Sequence, residues 1–212
     1  MFLSKNWKAM ANISAAIKKE DLQLPSDQNQ RLAFVLHNVL SPEECKQYIS
    51  QTEEKGYVKA LLNIGGGKEL LMTDVRNSDR CIIDSVEEAL KVWQRIKEYI
   101  PQEWDGRAVI GLNERLRFLR YDPGQYFKPH MDGCYSRENG EMSFITIQIY
   151  LNDGFEGGST TFMSLDGRQR LEVVPKAGSV LVFQHNIYHE GSVLKEGRKY
   201  SVRTDVMYSP PS

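Results

Sequence analysis

Residues 143–151, Ser143-Phe144-Ile145-Thr146-Ile147-Gln148-Ile149-Tyr150-Leu151, alternate apolar and polar side chains along their length. Successive side chains of a strand point to opposite faces, so this run reads as a β-strand with Ile145, Ile147, Ile149 and Leu151 on one face and Thr146, Gln148 and Tyr150 on the other. The alternation fits a solvated polar face and an inward face lining a site about equally well. Working outward, short runs rich in β-branched and aromatic residues recur at 114–121, 126–131, 159–163, 170–174, 179–184 and 198–208, bounded by Gly, Pro, Asn and Asp. Many short strands with regular turn signals predict a β-sandwich or jelly roll.

Upstream of these runs the pattern is helical. Ser41-Pro42-Glu43-Glu44 places Ser at the N-cap, Pro at N1 and Glu at N3, which satisfies or removes the orphan amide donors of a helix start. Cys45, Tyr48 and Ile49 then form one stripe, and Gly56 ends the helix. A second helix is expected from near Asp84 to Pro101, with Val86, Ala89, Leu90, Trp93 and Ile96 along one face. A strand-like run over residues 32–36 precedes both. Residues 1–30 read as a polar arm with a short helix around Ile13–Ile17 and a linker at Pro25–Gln30. The expectation is an α+β, mainly β chain: one domain over 31–212, its helices buttressing a sheet and its functional core at 113–208.

The 27 Lys and Arg balance 28 Asp and Glu to a formal net charge of -1, so no global field favours nucleic acid or an anionic membrane. Cys45, Cys81 and Cys134 have no CxxC spacing, which argues against a disulfide framework or a cysteine zinc site and for a reducing compartment. With no secretory h-region and no long apolar run, the expected location is the cytoplasm.

The chain holds four histidines, His37, His130, His185 and His189. His130-Met131-Asp132 puts an imidazole and a carboxylate at i and i+2, on one face of a strand. His189 follows far enough along for intervening strands to return it beside them. Two histidines and one carboxylate form the facial triad of non-haem iron sites; taken alone, a His-x-Asp pair is about as often a structural hydrogen bond. His185 reads as a neighbour of the site, not a ligand, because its segment is strand and not helix. His37 reads as structural, and Gly65-Gly66-Gly67 as a turn. Trp7, Trp93 and Trp104 read as packing aromatics.

The surroundings add to the triad. Tyr121-Asp122-Pro123-Gly124 precedes it, and Gly157-Gly158, Pro175-Lys176-Ala177-Gly178 with Phe183, His189-Glu190-Gly191 and Lys199 follow in order. This succession resembles the prolyl 4-hydroxylase-like branch of the Fe(II) and 2-oxoglutarate dioxygenases, a double-stranded β-helix (jelly-roll) fold. The resemblance implies Fe(II) on His130, Asp132 and His189, with 2-oxoglutarate and O2 as cosubstrates, ascorbate as reductant, and release of succinate and CO2. It implies Tyr121 and Tyr150 as 2-oxoglutarate contacts and turns the Thr146, Gln148 and Tyr150 face inward. The far carboxylate of the cosubstrate needs a fixed cation. Lys199 matches the family position, while Arg203, one strand repeat further on the same face, stands where the family has a smaller polar residue; either or both fit. The loops at 63–80 and 133–141 are expected around the metal, the first as a substrate lid or as a solvated loop whose arginines pair with Asp74 and Asp79. Two rival readings are a zinc hydrolase on a β scaffold and a non-catalytic jelly-roll binding module. The prime substrate, with peptidyl proline as the natural guess, and the oligomeric state are open.

Overall fold

The computed structural model describes residues 16–63 and 68–211. Trp7, most of the helix expected around Ile13–Ile17 and the Gly65–Gly67 turn lie outside them. Two antiparallel sheets face each other. In the larger, ten-stranded sheet the run Met142–Tyr150 sits centrally, between Val180–Gln184 and Lys199–Tyr208. Beyond them the sheet continues to Ala33–His37 and Lys18–Asp21 on one side, and to Arg115–Tyr121 and Asp79–Asp84 on the other. The smaller sheet runs in the order Phe127–His130, His189–Gly191, Thr160–Met163, Arg170–Val173. The strand-rich prediction thus holds over residues 114–208, and the architecture is the jelly roll.

Period-two alternation explains the two cores. In Val180–Gln184, Val180 and Val182 join Ile145, Ile147 and Ile149 on the helix side of the large sheet, while Leu181 and Phe183 pack between the sheets with Phe162 and Tyr150. The helix-side core is closed by α1 (Pro42–Lys55) and α2 (Val86–Ile96). The start of α1 has the expected capping box: Glu44 N–H donates to Ser41 Oγ at 3.2 Å and Ser41 N–H to Glu44 Oε2 at 2.8 Å. In α2 the cap falls one residue later than expected, at Ser85, whose Oγ accepts from Glu88 N–H. The buried stripe is correspondingly rotated to Ala89, Val92 and Ile96, leaving Val86 and Leu90 exposed. Apolar residues occupy both candidate stripes of α2, so periodicity alone did not choose between them.

The arm expected over residues 1–30 is part of the domain in its second half. Lys18–Asp21 forms an edge strand on Ala33–His37, exposed and charged as edge strands commonly are. Gln28, in the expected linker, is buried; its side chain donates to the Met163 carbonyl and accepts from Tyr188 N–H at 2.7 Å. Among the described residues no helix is long and apolar enough to cross a membrane.

Candidate metal and cosubstrate site

The smaller sheet places the two imidazoles side by side. His130 and His189 are directly opposed in the antiparallel pair Phe127–His130 and His189–Gly191, and cross-strand neighbours stand close enough to share an ion. Their ring centroids are 4.3 Å apart. The first strand ends at His130, so Asp132 does not continue it as the His-x-Asp spacing suggested. Asp132 is instead held past the strand end by its N–H, which donates to the His185 carbonyl at 2.8 Å. Its carboxylate still reaches the imidazoles: Oδ1 lies 3.6 Å from His130 Nε2 and Oδ2 lies 3.9 Å from His189 Nε2.

The donor set fits a divalent cation. One ligand atom from each of the three residues lies within 4.8 Å of the others. His130 Nδ1 pairs with the Lys128 carbonyl at 2.7 Å, and His189 Nδ1 with the Ile187 carbonyl at 2.9 Å. Each contact places the ring proton on Nδ1 and leaves the Nε2 lone pair directed at the shared centre, as metal-binding histidines commonly do when a backbone carbonyl accepts from the other ring nitrogen. Burial, with help from His130 and Arg203, pushes the His189 imidazolium down to about 4, so the ring is neutral at ordinary pH. For Asp132, burial alone would raise the carboxyl. Arg203, His130 and His189 outweigh it and hold the group well below the ordinary carboxylate range. Thr146, on the polar face of the central strand, donates to Asp132 Oδ2 at 2.6 Å.

The same cavity is lined at its other end by Tyr121, Leu119, Thr160 and Lys199. Lys199 and Tyr121 are direct cross-strand partners, and the ammonium sits 5.2 Å from the Tyr121 ring centre. Lys199 is 3% exposed, and its ammonium donates to the Gly158 carbonyl. Among the described residues no carboxylate pairs with it, and burial pushes it down to about 7. The glycine turn below it depends on having no side chains: Gly157 has φ +78, and a Cβ there would stand 2.4 Å from the Val193 carbonyl oxygen.

The two candidate anchors separate clearly. Arg203 is already engaged, with Nη2 at 3.1 Å from Asp132 Oδ1 and 3.3 Å from Asp205 Oδ1, whereas Lys199 lines the cavity with no carboxylate beside it among the described residues. Tyr150 stands beside Lys199, its ring centre 5.7 Å from the ammonium. It is fully buried, and its hydroxyl donates at 2.8 Å to Thr160 Oγ1; Thr160 forms the cavity wall there. The polar face of the central strand does turn inward. Sequence reasoning missed Thr160 and the hydrogen bond from Thr146, although both are hydroxyls on strands already assigned.

His185 is buried between Asp205 and Cys134, outside the triad. Burial opposes its protonation, but Asp205 and Cys134 raise it to about 9. His37 pairs with Glu20 at 2.8 Å across the edge strands, a partner invisible in local spacing. Trp104 stacks on Phe144, and Trp93 packs against the helix-side core. In the 63–80 region Leu62–Asn63 pairs with Glu69–Leu70, and Arg80 binds Glu69 through two bonds of 2.6 Å, in place of the expected Asp79. Arg76 reaches the cavity, stacked 4.7 Å over the Phe127 ring. The 133–141 loop is tied back by Arg137, which pairs with Glu114 and Glu141.

A jelly roll carrying a His-Asp-His cluster beside a buried lysine has the donor set of a non-haem metal centre. Residues 116–204 match the model of the 2OG-Fe(II) oxygenase superfamily. It is 30% identical over 162 residues to prolyl 4-hydroxylase 1 of Arabidopsis thaliana, a match covering 71% of this chain and 56% of the relative. The chain therefore matches little more than half the length of that protein. A putative prolyl 4-hydroxylase of Acanthamoeba polyphaga mimivirus is 28% identical over 159 residues, covering 71% of this chain and 59% of the relative. The viral collagen prolyl hydroxylase of Paramecium bursaria Chlorella virus-1 shares the fold, with a TM-score of 0.60 at 21% identity over 82% of this chain and 95% of that one.

Proposed function

We propose that this chain is an Fe(II)- and 2-oxoglutarate-dependent hydroxylase, with a peptidyl proline as its substrate. The observation that carries the reading is one cavity with a three-donor metal cluster at one end and an anion-seeking Lys199 at the other. When bound, the metal and 2-oxoglutarate supply the oxidative chemistry, in which O2 is consumed, succinate and CO2 are released and a C–H bond is hydroxylated. The protein's own residues do the rest. His130, Asp132 and His189 hold the metal and leave positions open. Lys199 pairs with the far carboxylate of the cosubstrate, and Tyr121, which lines the same cavity, hydrogen-bonds that group through its hydroxyl. Thr160 presents a second hydroxyl, and Leu119 and Phe183 keep the pocket walls apolar. Arg76 and Phe127 form the rim where a peptide enters. Ascorbate serves as the reductant. The free cysteines Cys45, Cys81 and Cys134 support a reducing, cytoplasmic setting.

Prolyl hydroxylation is favoured by the likeness to named prolyl 4-hydroxylases. The zinc hydrolase reading gives Lys199 no partner, and a pure binding module gives the ordered Nε2 lone pairs no work. The test is succinate formation from 2-oxoglutarate with Fe(II) and a proline-rich peptide, in the wild type and in His130→Ala. Turnover lost in the variant and 4-hydroxyproline found in the peptide are expected. Failure of the Mn(II)-loaded protein to bind 2-oxoglutarate by calorimetry would refute the reading.

A further inference from the structure

Asp132 has more cationic company than a metal ligand requires. Its Oδ2 accepts the Thr146 hydroxyl, while Oδ1 is held by Arg203 at 3.1 Å. Arg203 and Asp205 leave the same face of the Lys199–Tyr208 strand, two residues apart. Asp205 is buried, 3.3 Å from the guanidinium of Arg203, 3.3 Å from that of Arg117 and 3.5 Å from the His185 imidazole. Metal–carboxylate bonds are about 2.0–2.2 Å, and an oxygen making one has little left for a guanidinium. A fixed positive charge beside the ligand also repels an incoming dication across a water-poor cavity.

We propose that Arg203 is an internal counter-ion that competes with the divalent metal for Asp132 and retires onto Asp205 when the metal binds. The Arg203–Asp205 pair thereby sets the metal affinity of the site. This rests on the metal-dependent reading above. It assigns Arg203 to positioning and tuning a ligand, and leaves the cosubstrate carboxylate to Lys199. A passive clamp would differ in sign: it would only hold Asp132 in place, and its loss in any form would weaken metal binding.

The test is Mn(II) titration of the full chain followed by electron paramagnetic resonance, without 2-oxoglutarate, with thermal melts to confirm folding. Arg203→Gln removes the competing charge and is expected to tighten Mn(II) binding on the order of tenfold, the lower end of what partners of metal ligands contribute. Asp205→Asn removes the retreat and is expected to weaken it on the order of tenfold by the same scale. Arg203→Lys keeps the charge and is expected to stay near the wild type. Weakening in both Arg203→Gln and Asp205→Asn, or no change in either, overturns the proposal. If Arg203→Gln fails to fold, unchanged affinity in Asp205→Asn overturns it. A wild type that binds no Mn(II) overturns the metal-dependent reading itself, and is distinguishable because it needs no variant.

Discussion

If Lys199 anchors 2-oxoglutarate as proposed, binding is a proton-uptake event. In the free protein its ammonium is pushed down to about 7 by burial alone. A bound carboxylate stabilises the charged form and returns the group toward its ordinary value of about 10.4. At pH 8 a group of pKa about 7 is roughly one-tenth charged, so binding takes up about 0.9 proton; at pH 6 it takes up about 0.1. The affinity follows the charge already present: it is highest below pH 7 and falls about tenfold between pH 6 and pH 8. The sign for stability is the reverse. A lysine with a depressed folded pKa binds fewer protons than its unfolded counterpart between about 7 and 10.4, so its contribution to unliganded stability rises with pH through that window. The assay is calorimetry of 2-oxoglutarate binding to Mn(II)-loaded protein in pairs of buffers with different ionisation enthalpies. His185, raised to about 9, stands outside the cavity lining and is common to the wild type and Lys199→Arg, so the difference between the two proteins reports Lys199. Lys199→Arg is expected to bind with no uptake and a flat pH profile, because a guanidinium stays charged throughout. Uptake near zero at pH 8 in the wild type, or undiminished uptake in Lys199→Arg, would refute the reasoning.

Three further outcomes follow from the packing. Thr146→Val removes the hydroxyl donor to Asp132 Oδ2 and is expected to weaken Mn(II) binding by about tenfold, read by titration, with little change in melting temperature. Ile147→Ala empties a fully buried position on the helix-side core and is expected to cost about 2–5 kcal/mol in urea unfolding. Ser41→Ala removes the capping hydroxyl of α1 and is expected to cost about 1 kcal/mol in the same assay, without altering 2-oxoglutarate affinity.

What was legible in the sequence was what adjacent residues decide among themselves. The capping box at Ser41 and Glu44 was readable because both partners lie within one helical turn. The strand at 143–151 was readable because its two faces meet different neighbours. The His130, Asp132 and His189 cluster was readable because His130 and Asp132 are near in sequence, and the fold sets His189 opposite His130. Properties that depend on which chains meet in space were not. The face of α2 was misread because Val86 and Leu90 compete with Ala89 and Val92 for the same sheet, and only the cap at Ser85 fixes the rotation. The strand face of Tyr150 was readable, but its hydrogen-bond partner Thr160 comes from the opposite sheet and was not.

The choice between Lys199 and Arg203 is the sharpest case. Both cations lie on one face of one strand, and spacing treats them as equals. What separates them is where the carboxylates fall. Asp205 is two residues along from Arg203 and Asp132 arrives from beyond the Phe127–His130 strand, so Arg203 sits between two anions. Lys199 is met instead by a glycine carbonyl and two aromatic rings. A buried cation with no anion is costly, and the fold keeps it at the end of a cavity whose other end gathers metal donors. That cost is relieved by loss of the proton or by a ligand that brings the missing charge, which supports the proposal that the anionic end of the cosubstrate lies at Lys199 and its metal-binding end at the triad.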